Sequence, residues 1–186
     1  MFAQDQVGPL APPVRPVPLT APIAEVTGDS HQHLFTGIAR LARELGYTVC
    51  VCDAGAADGT CNRKTREIEI AERLSPNGRL AAGIHELSHA LVGADKEAPN
   101  LSYAQEELVV ESVAFCCCQT VGLDTSANSI PYLTSWAEKA SVEVLEQTVE
   151  LTARLSDRIE AVLVPEPSAA HPTTQELVDA PQPVAV

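Results

Sequence analysis

Two histidines four residues apart, His85 and His89, are the side chains of this sequence best placed to do chemistry. They frame the pentapeptide His85-Glu86-Leu87-Ser88-His89, an HExxH pattern, within a stretch that has the apolar spacing of a helix. Residues four apart share one face of a helix, so both imidazoles can reach a single point. Two such imidazoles make half of a tetrahedral zinc (Zn2+) site, and Glu86 is placed to act as general base toward water at the metal.

A catalytic zinc ion needs a third protein ligand, and the next helical stretch offers Glu106, Glu107 and Glu111. Glu107 and Glu111 are again four apart and share a face. Glu111 interrupts an otherwise apolar run, where an unpaired carboxylate would be costly to bury, so it needs a cation or strong hydrogen-bond donors. The alternative is that Glu111 pairs with an arginine or extends to solvent. Spacing alone leaves either Glu107 or Glu111 as the third ligand.

Three segments in order, HELSHALVG, EELVVESVAF and GLDTSANSIPYLTSWAE, resemble the ImmA/IrrE-type zinc metallopeptidase-like domain over residues 36–140. The resemblance is stronger to the version found in actinobacterial and phage ArdC-like antirestriction proteins. It implies a zincin-like (gluzincin) fold, with Glu107 as the third metal ligand and Glu111 orienting a ligating histidine from behind. It also implies zinc-dependent hydrolysis of a peptide bond in a protein substrate, such as a repressor or host regulator of a phage or mobile element.

The sequence departs from this pattern in two places. The larger ArdC-like proteins carry a single-stranded-DNA-binding domain ahead of the metallopeptidase-like one, and these 186 residues leave no room for it. The usual alanine between the two acids of the second motif is Val110 here. Without an obvious recruiting domain, the alternative function is a non-proteolytic interaction or antirestriction protein on the same scaffold. An acidic DNA mimic is a third class, but its carboxylates would have to be spaced like phosphates, whereas these are spread over several helices.

The helix that carries the HExxH pattern is predicted over residues 75–93. Ser75 is its N-cap candidate, Pro76 stands at its first position, and Gly93 is placed to end it. A second helix, over residues 102–122, carries the acids. Four apolar residues form a core-facing stripe on the first helix: Leu80, Ile84, Leu87 and Leu91. The two histidines lie on the flank of this stripe, where the wall of a pocket is expected.

The fold class expected from the whole pattern is α+β, with a small antiparallel sheet ahead of the two helices and further helices after residue 131. Residues 29–45 are predicted to form a helix, residues 47–53 a strand, and residues 60–71 the returning strand. Residues 65–71 are the candidate sheet edge for binding an extended peptide by strand addition. The last apolar stripe, which ends at Leu163, is expected to pack across the core, with a helical dimer seam, and hence a homodimer, as the alternative.

The composition indicates one domain, over residues 29–164, between two Pro-rich segments that we expect to be disordered, residues 1–28 and 165–186.

The formal net charge of −13 argues against direct nucleic-acid binding, which needs a basic surface. The short basic cluster Arg63-Lys64-Arg66 is therefore interpreted as solvated. The first residues lack the basic leader of a secretory signal, and no apolar run approaches membrane-spanning length. These features predict a cytoplasmic protein that does not bind membranes.

Six cysteines do not form an evident metal or disulfide framework. The consecutive Cys116, Cys117 and Cys118 diverge by about 100° per step on a helix, so they are interpreted as small buried apolar residues. Cys50 and Cys52 share a strand face, and Cys61 is expected nearby, but a fourth ligand is not evident. His31 and His33 are not expected to be ligands. A donor that stabilises the transition state is expected from Tyr103 or Tyr132, and the sequence does not choose between them.

Overall fold

The computed structural model describes residues 25–98, 100–137 and 142–164 of the chain. The segments predicted to be disordered lie outside these residues, except for residues 25–28. The elements are a short 3-10 helix (Gln32–Leu34), α1 (Phe35–Glu44), β1 (Thr48–Cys52), β2 (Gly59–Asn62), β3 (Glu67–Ala71), α2 (Pro76–Ala94), α3 (Tyr103–Thr120), α4 (Ser126–Ala137) and α5 (Val142–Leu163). This order confirms the α+β class.

The sheet is mixed, so the predicted antiparallel sheet is wrong in part. Its strand order is β1-β3-β2, in which β1 pairs with β3 in parallel and β2 pairs with β3 antiparallel. The predicted single strand over 60–71 is two strands, because Asn62 Oδ1 accepts hydrogen bonds from the backbone of Lys64 and Thr65 and turns the chain. Arg66, with a φ of 61°, completes that turn. The predicted edge at 65–71 is therefore the central strand, and the edges are β1 and β2.

Helix α2 lies at the centre of the core. Its predicted stripe is confirmed, since Leu80, Ile84, Leu87 and Leu91 are all fully buried. Ile68 and Ile70 on β3 belong to the same core. Helix α5 packs against α3 and α1, which confirms its core-packing role, although its apolar residue Val149 is 67% exposed.

The ends of the two central helices follow local rules with one exception. Ser75 is the N-cap of α2 and accepts a hydrogen bond from Gly78 N at 3.0 Å. Ser102 caps α3 in a reciprocal capping box with Gln105. The expectation that Gly93 ends α2 is wrong, because the helix continues through Ala94, and Asp95 N still donates to Leu91 O. Gly93 must therefore have another role.

Residues 25–28, assigned from the sequence to the N-terminal segment, contact the start of α2. Ser75 Oγ donates to Val26 O, and Asn77 Nδ2 donates to Thr27 O at 2.9 Å. Gly28 has a φ of 88°, and its carbonyl accepts from Asn77 N. The chain ahead of α1 is therefore attached to the helix that carries the HExxH pattern.

The cysteines follow the sequence interpretation only in part. Cys117 and Cys118 are buried, but Cys116 is exposed, so its predicted burial is wrong. Cys50 and Cys52 lie on β1, whereas Cys61 lies on β2 with β3 between them. Within the described ranges, no helix combines the length and the apolar character that crossing a lipid bilayer requires.

Substitution of Ser75 tests the link between the N-terminal stretch and α2. Ser75→Ala removes both the cap and the bond to Val26 O, so we expect the free energy of unfolding in urea to fall by about 1 kcal/mol or more. Ser75→Asp keeps an acceptor for Gly78 N but has no hydroxyl to donate to Val26, so an intermediate loss is expected. Equal stability of Ser75→Ala and the wild type would contradict both roles.

Candidate metal centre

Helices α2 and α3 lie side by side and bring the histidines of one against the acids of the other. His85 lies opposite Glu111, and His89 lies opposite Glu106, so the two helices run antiparallel. Glu107 lies between the two rings, with Oε2 at 3.9 Å from His85 Nε2 and Oε1 at 3.4 Å from His89 Nε2. The antiparallel register is therefore what places one carboxylate between two imidazoles.

The donor set of His85, His89 and Glu107 fits a zinc ion. One ligand atom from each residue lies within 4.8 Å of the other two, and within the part of the chain that the structure describes no other His, Cys, Asp or Glu group meets in this way. Ligands that surround a tetrahedral zinc ion at 2.0–2.1 Å lie about 3.3 Å from one another. The His89–Glu107 distance already has that value, and the His85–Glu107 distance exceeds it by several tenths of an ångström.

The far nitrogen of each imidazole contacts a second carboxylate. His85 Nδ1 lies 3.2 Å from Glu111 Oε2, and His89 Nδ1 lies 2.8 Å from Glu106 Oε1. With a metal ion bound at the two Nε2 atoms, each Nδ1 would carry the proton and donate it to its carboxylate, which can only accept when ionised. This arrangement orients both rings for metal binding. The contact of Glu111 with His85 is compatible with the orienting role that the resemblance implied, whereas sequence reasoning offered Glu106 only among the candidates for the third ligand.

Glu86 is buried near His85 and Glu107, with 8% of its surface exposed. Burial raises its pKa to about 7, the nearby His85 acts to lower that pKa, and Glu107 acts to raise it. Burial alone would lower the pKa of His85, but the bond to Glu111 and the carboxylates of Glu86 and Glu107 leave it raised overall. A buried acid whose pKa lies near neutrality is suited to taking up a proton at physiological pH.

The start of β2 lies against Glu86. A Cβ atom on Gly59 would lie 2.7 Å from Glu86 Cγ and 3.2 Å from the carbonyl oxygen of Glu69, so only glycine fits there. Sequence reasoning missed this residue. Gly59 begins β2 but falls just before the strand predicted from residue 60, so the rule that a glycine inside a strand marks a close approach did not point to it.

A cavity of about 720 Å³ opens next to the candidate centre. His85, Glu86 and Glu111 line one side of it. The helical walls are made of small residues: Gly78, Ala81, Ala82, Ala114 and Cys118. Small side chains on neighbouring turns of α2 and α3 leave this space open beside Glu86, which could admit a side chain of a bound polypeptide.

The other residues singled out in the sequence lie elsewhere or outside the described side chains. His31 Nε2 lies 2.9 Å from Val121 O, His33 is exposed, and neither belongs to the metal-ligating group. Tyr103 is 79% exposed one turn before Glu107, and a hydrogen bond to Glu107 raises its pKa. The side chain of Tyr132 lies outside the described residues, so the choice of transition-state donor stays a prediction.

All three residues of the basic cluster are exposed, as the solvated interpretation predicted, but two of them also bind neighbouring groups. The guanidinium of Arg63 contacts the carbonyl of His89 and the carboxylate of Glu106. Arg66 lies over the ring of Tyr47, with its Cζ 5.1 Å from the ring centroid, and donates to Leu45 O. Lys64 is exposed, as predicted.

Comparison with known proteins yields one distant relative of uncharacterized function. The chain is 27% identical over 125 residues to the uncharacterized protein pXO2-81 of Bacillus anthracis. The match covers 61% of this chain but only 21% of that protein, so the chain spans about a fifth of the length of its relative. No protein-family model matches the sequence, and no solved structure is significantly similar.

Metal analysis of purified variants tests the ligand set. We expect one zinc ion per wild-type chain, and loss of that ion in His85→Ala and Glu107→Ala, because each removes a ligand. Glu111→Gln should keep the ion but bind it about 10- to 100-fold more weakly, as expected for a residue behind a ligand. Glu150→Ala, which removes an exposed carboxylate from α5, is the matched control. If Glu107→Ala kept zinc and Glu111→Gln lost it, Glu111 would be the third ligand and Glu107 the residue that orients a histidine.

Proposed function

We propose that this chain is a zinc-dependent metalloendopeptidase of the ImmA/IrrE type with a zincin-like domain, acting on a protein substrate. The observation that carries the proposal is the convergence of His85, His89 and Glu107, with Glu86 buried beside them. Two imidazoles, one carboxylate and an open position are the ligand set of catalytic rather than structural zinc sites. The general base is adjacent, which the reaction also requires.

A zinc ion held by these three residues would supply Lewis acidity, both toward the attacking water and toward the carbonyl of the scissile bond. Glu86 accepts a proton from that water and passes it to the amine that leaves. Glu111 and Glu106 hold the two rings so that Nε2 of each faces the centre. The side chains of the protein therefore hold the two rings in place and transfer one proton through Glu86.

The surroundings favour an extended polypeptide as substrate. Strand β2 is an edge of the sheet and begins at Gly59, in contact with Glu86. An edge strand has free backbone groups that can pair with an incoming chain, and this strand runs beside the general base. The neighbouring cavity, with its small-residue walls, could take one side chain of that polypeptide. A repressor or host regulator is the class of protein substrate that we propose.

The variant Glu86→Gln separates metal binding from catalysis. The amide cannot accept the proton, so we expect cleavage of a peptide library, read by mass spectrometry, to fall roughly 10²- to 10⁴-fold while zinc content stays at the wild-type level. Ser102→Ala, which weakens the cap of α3 without touching the centre, controls for general destabilisation. Full proteolysis by Glu86→Gln would exclude this residue as the base. A zinc-loaded wild type that cuts none of the library would instead favour an interaction protein.

The pH dependence follows from the burial of Glu86. The carboxylate must be ionised to act as a base, and its pKa of about 7 means that activity falls as the pH drops through that region. A divalent cation nearby would lower this pKa, so the acidic limb of kcat/KM is expected at or below neutrality. Zinc content measured over the same range separates loss of the base from loss of the metal. An acidic limb lying well above neutrality would contradict this assignment.

A further inference from the structure

Arg63 connects the sheet to the candidate metal centre from outside. It follows β2 in the turn to β3, and its side chain lies across the last turns of α2. Nε and Nη2 donate to the carbonyl oxygen of His89 at 3.0 Å and 2.7 Å. Nη1 lies 3.3 Å from Glu106 Oε2, and Nη2 contacts Glu106 Oε1. The guanidinium therefore binds one residue of each central helix at the same time.

The carboxylate that Arg63 holds is the one behind His89. Glu106 Oε1 accepts from His89 Nδ1 at 2.8 Å as well as from the guanidinium. A fork of two N–H donors on two carboxylate oxygens fixes the plane of the carboxylate, which a single contact would not do. Only 18% of the Glu106 side chain is exposed, so it has little freedom to take another position.

Gly93 provides the space in which the guanidinium lies. A Cβ atom there would be 2.9 Å from Arg63 Nε and 3.1 Å from its Cδ. Glycine is among the poorest helix formers, and this one does not end α2, which continues through Ala94. The close approach of Arg63 is what explains a glycine at this position.

We propose that Arg63 is a positioning residue for the metal centre, which locks Glu106 against His89 and thereby fixes the direction of the His89 ring. This inference rests on the metal site of the proposed function. Beyond that function, it predicts that the affinity for zinc depends on Arg63, a side chain that does not contact the ion. With Gly59 against Glu86 at the start of β2 and Arg63 on His89 after its end, the edge strand is fixed relative to the centre at two points.

The experiment measures the zinc dissociation constant by competition with a chromophoric chelator, on the full chain and well below its unfolding temperature. Arg63→Ala should weaken zinc binding measurably, but by less than the roughly 10- to 100-fold expected when Glu106 itself, the direct partner of the ligating ring, is removed. Gly93→Ala should weaken it in the same direction with Arg63 still present, because the new methyl group displaces the guanidinium. The double variant should be no weaker than Arg63→Ala alone, since both changes remove one interaction. Arg63→Lys should restore binding only in part, because an ammonium cannot form the fork.

Lys64→Ala is the matched control, since it removes a positive charge from the same turn and should leave the dissociation constant unchanged. Cobalt-substituted protein gives a second readout, in which Arg63→Ala should shift the visible absorption bands if the His89 ring turns. If Arg63→Ala and Gly93→Ala both kept the wild-type zinc affinity and cobalt spectrum, the inference about Arg63 would be overturned while the proposed function still stood. A change in thermal stability would not alter that conclusion. A wild type that binds no zinc, or a His85→Ala variant that binds it as tightly, would overturn the proposed function itself.

Discussion

The structure depends on how four carboxylates and two imidazoles share one largely buried space between α2 and α3. Burying a carboxylate without a partner is costly, so each acid needs a donor or a cation. Glu111 accepts from His85 and Ser129, which hold its pKa low against its burial. Glu106 is paired with His89 and Arg63, and Glu107 faces both Nε2 atoms. A slip of one helix along the other would separate all of these pairs together, and the apolar stripe of α2 lies in the same core as the buried residues of α3.

Much of the framework around the centre could be predicted from local sequence rules. The N-cap serine and proline that begin α2 and the stripe that ends at Leu91 are short-range signals, and each was confirmed. The sheet was predicted less well because its pairing is long-range. The parallel partner of β1 is β3, and periodicity alone cannot distinguish that arrangement from a simple hairpin. The Asx turn at Asn62 then moved the expected edge strand to the middle of the sheet.

The residues of the candidate site also fall into two groups, those that local spacing predicts and those that depend on long-range packing. An HExxH pattern on a helix guarantees two convergent rings, so His85, Glu86 and His89 could be read directly from spacing. The acids of α3 could not be ranked, because residues four apart look equivalent until the partner helix is in place. The structure places Glu107 on the Nε2 side of the rings and Glu111 on the Nδ1 side of His85, a difference that the spacing does not contain. Arg63 was missed because its partners lie 26 and 43 residues away, and the signal for it, a glycine inside the last turn of α2, resembled a helix end.

The contact between Gly59 and Glu86 has a consequence for how such chains can diverge. Gly59 is required for its missing side chain rather than for an unusual backbone angle, since it does not have a positive φ. Positions 59 and 86 should therefore vary together among homologues: any larger residue at 59 demands a shorter one at 86. Aspartate at position 86 would keep a carboxylate on a shorter stem, so in a homologue with a larger residue at 59 the residue at 86 shows whether the acid has been kept or lost.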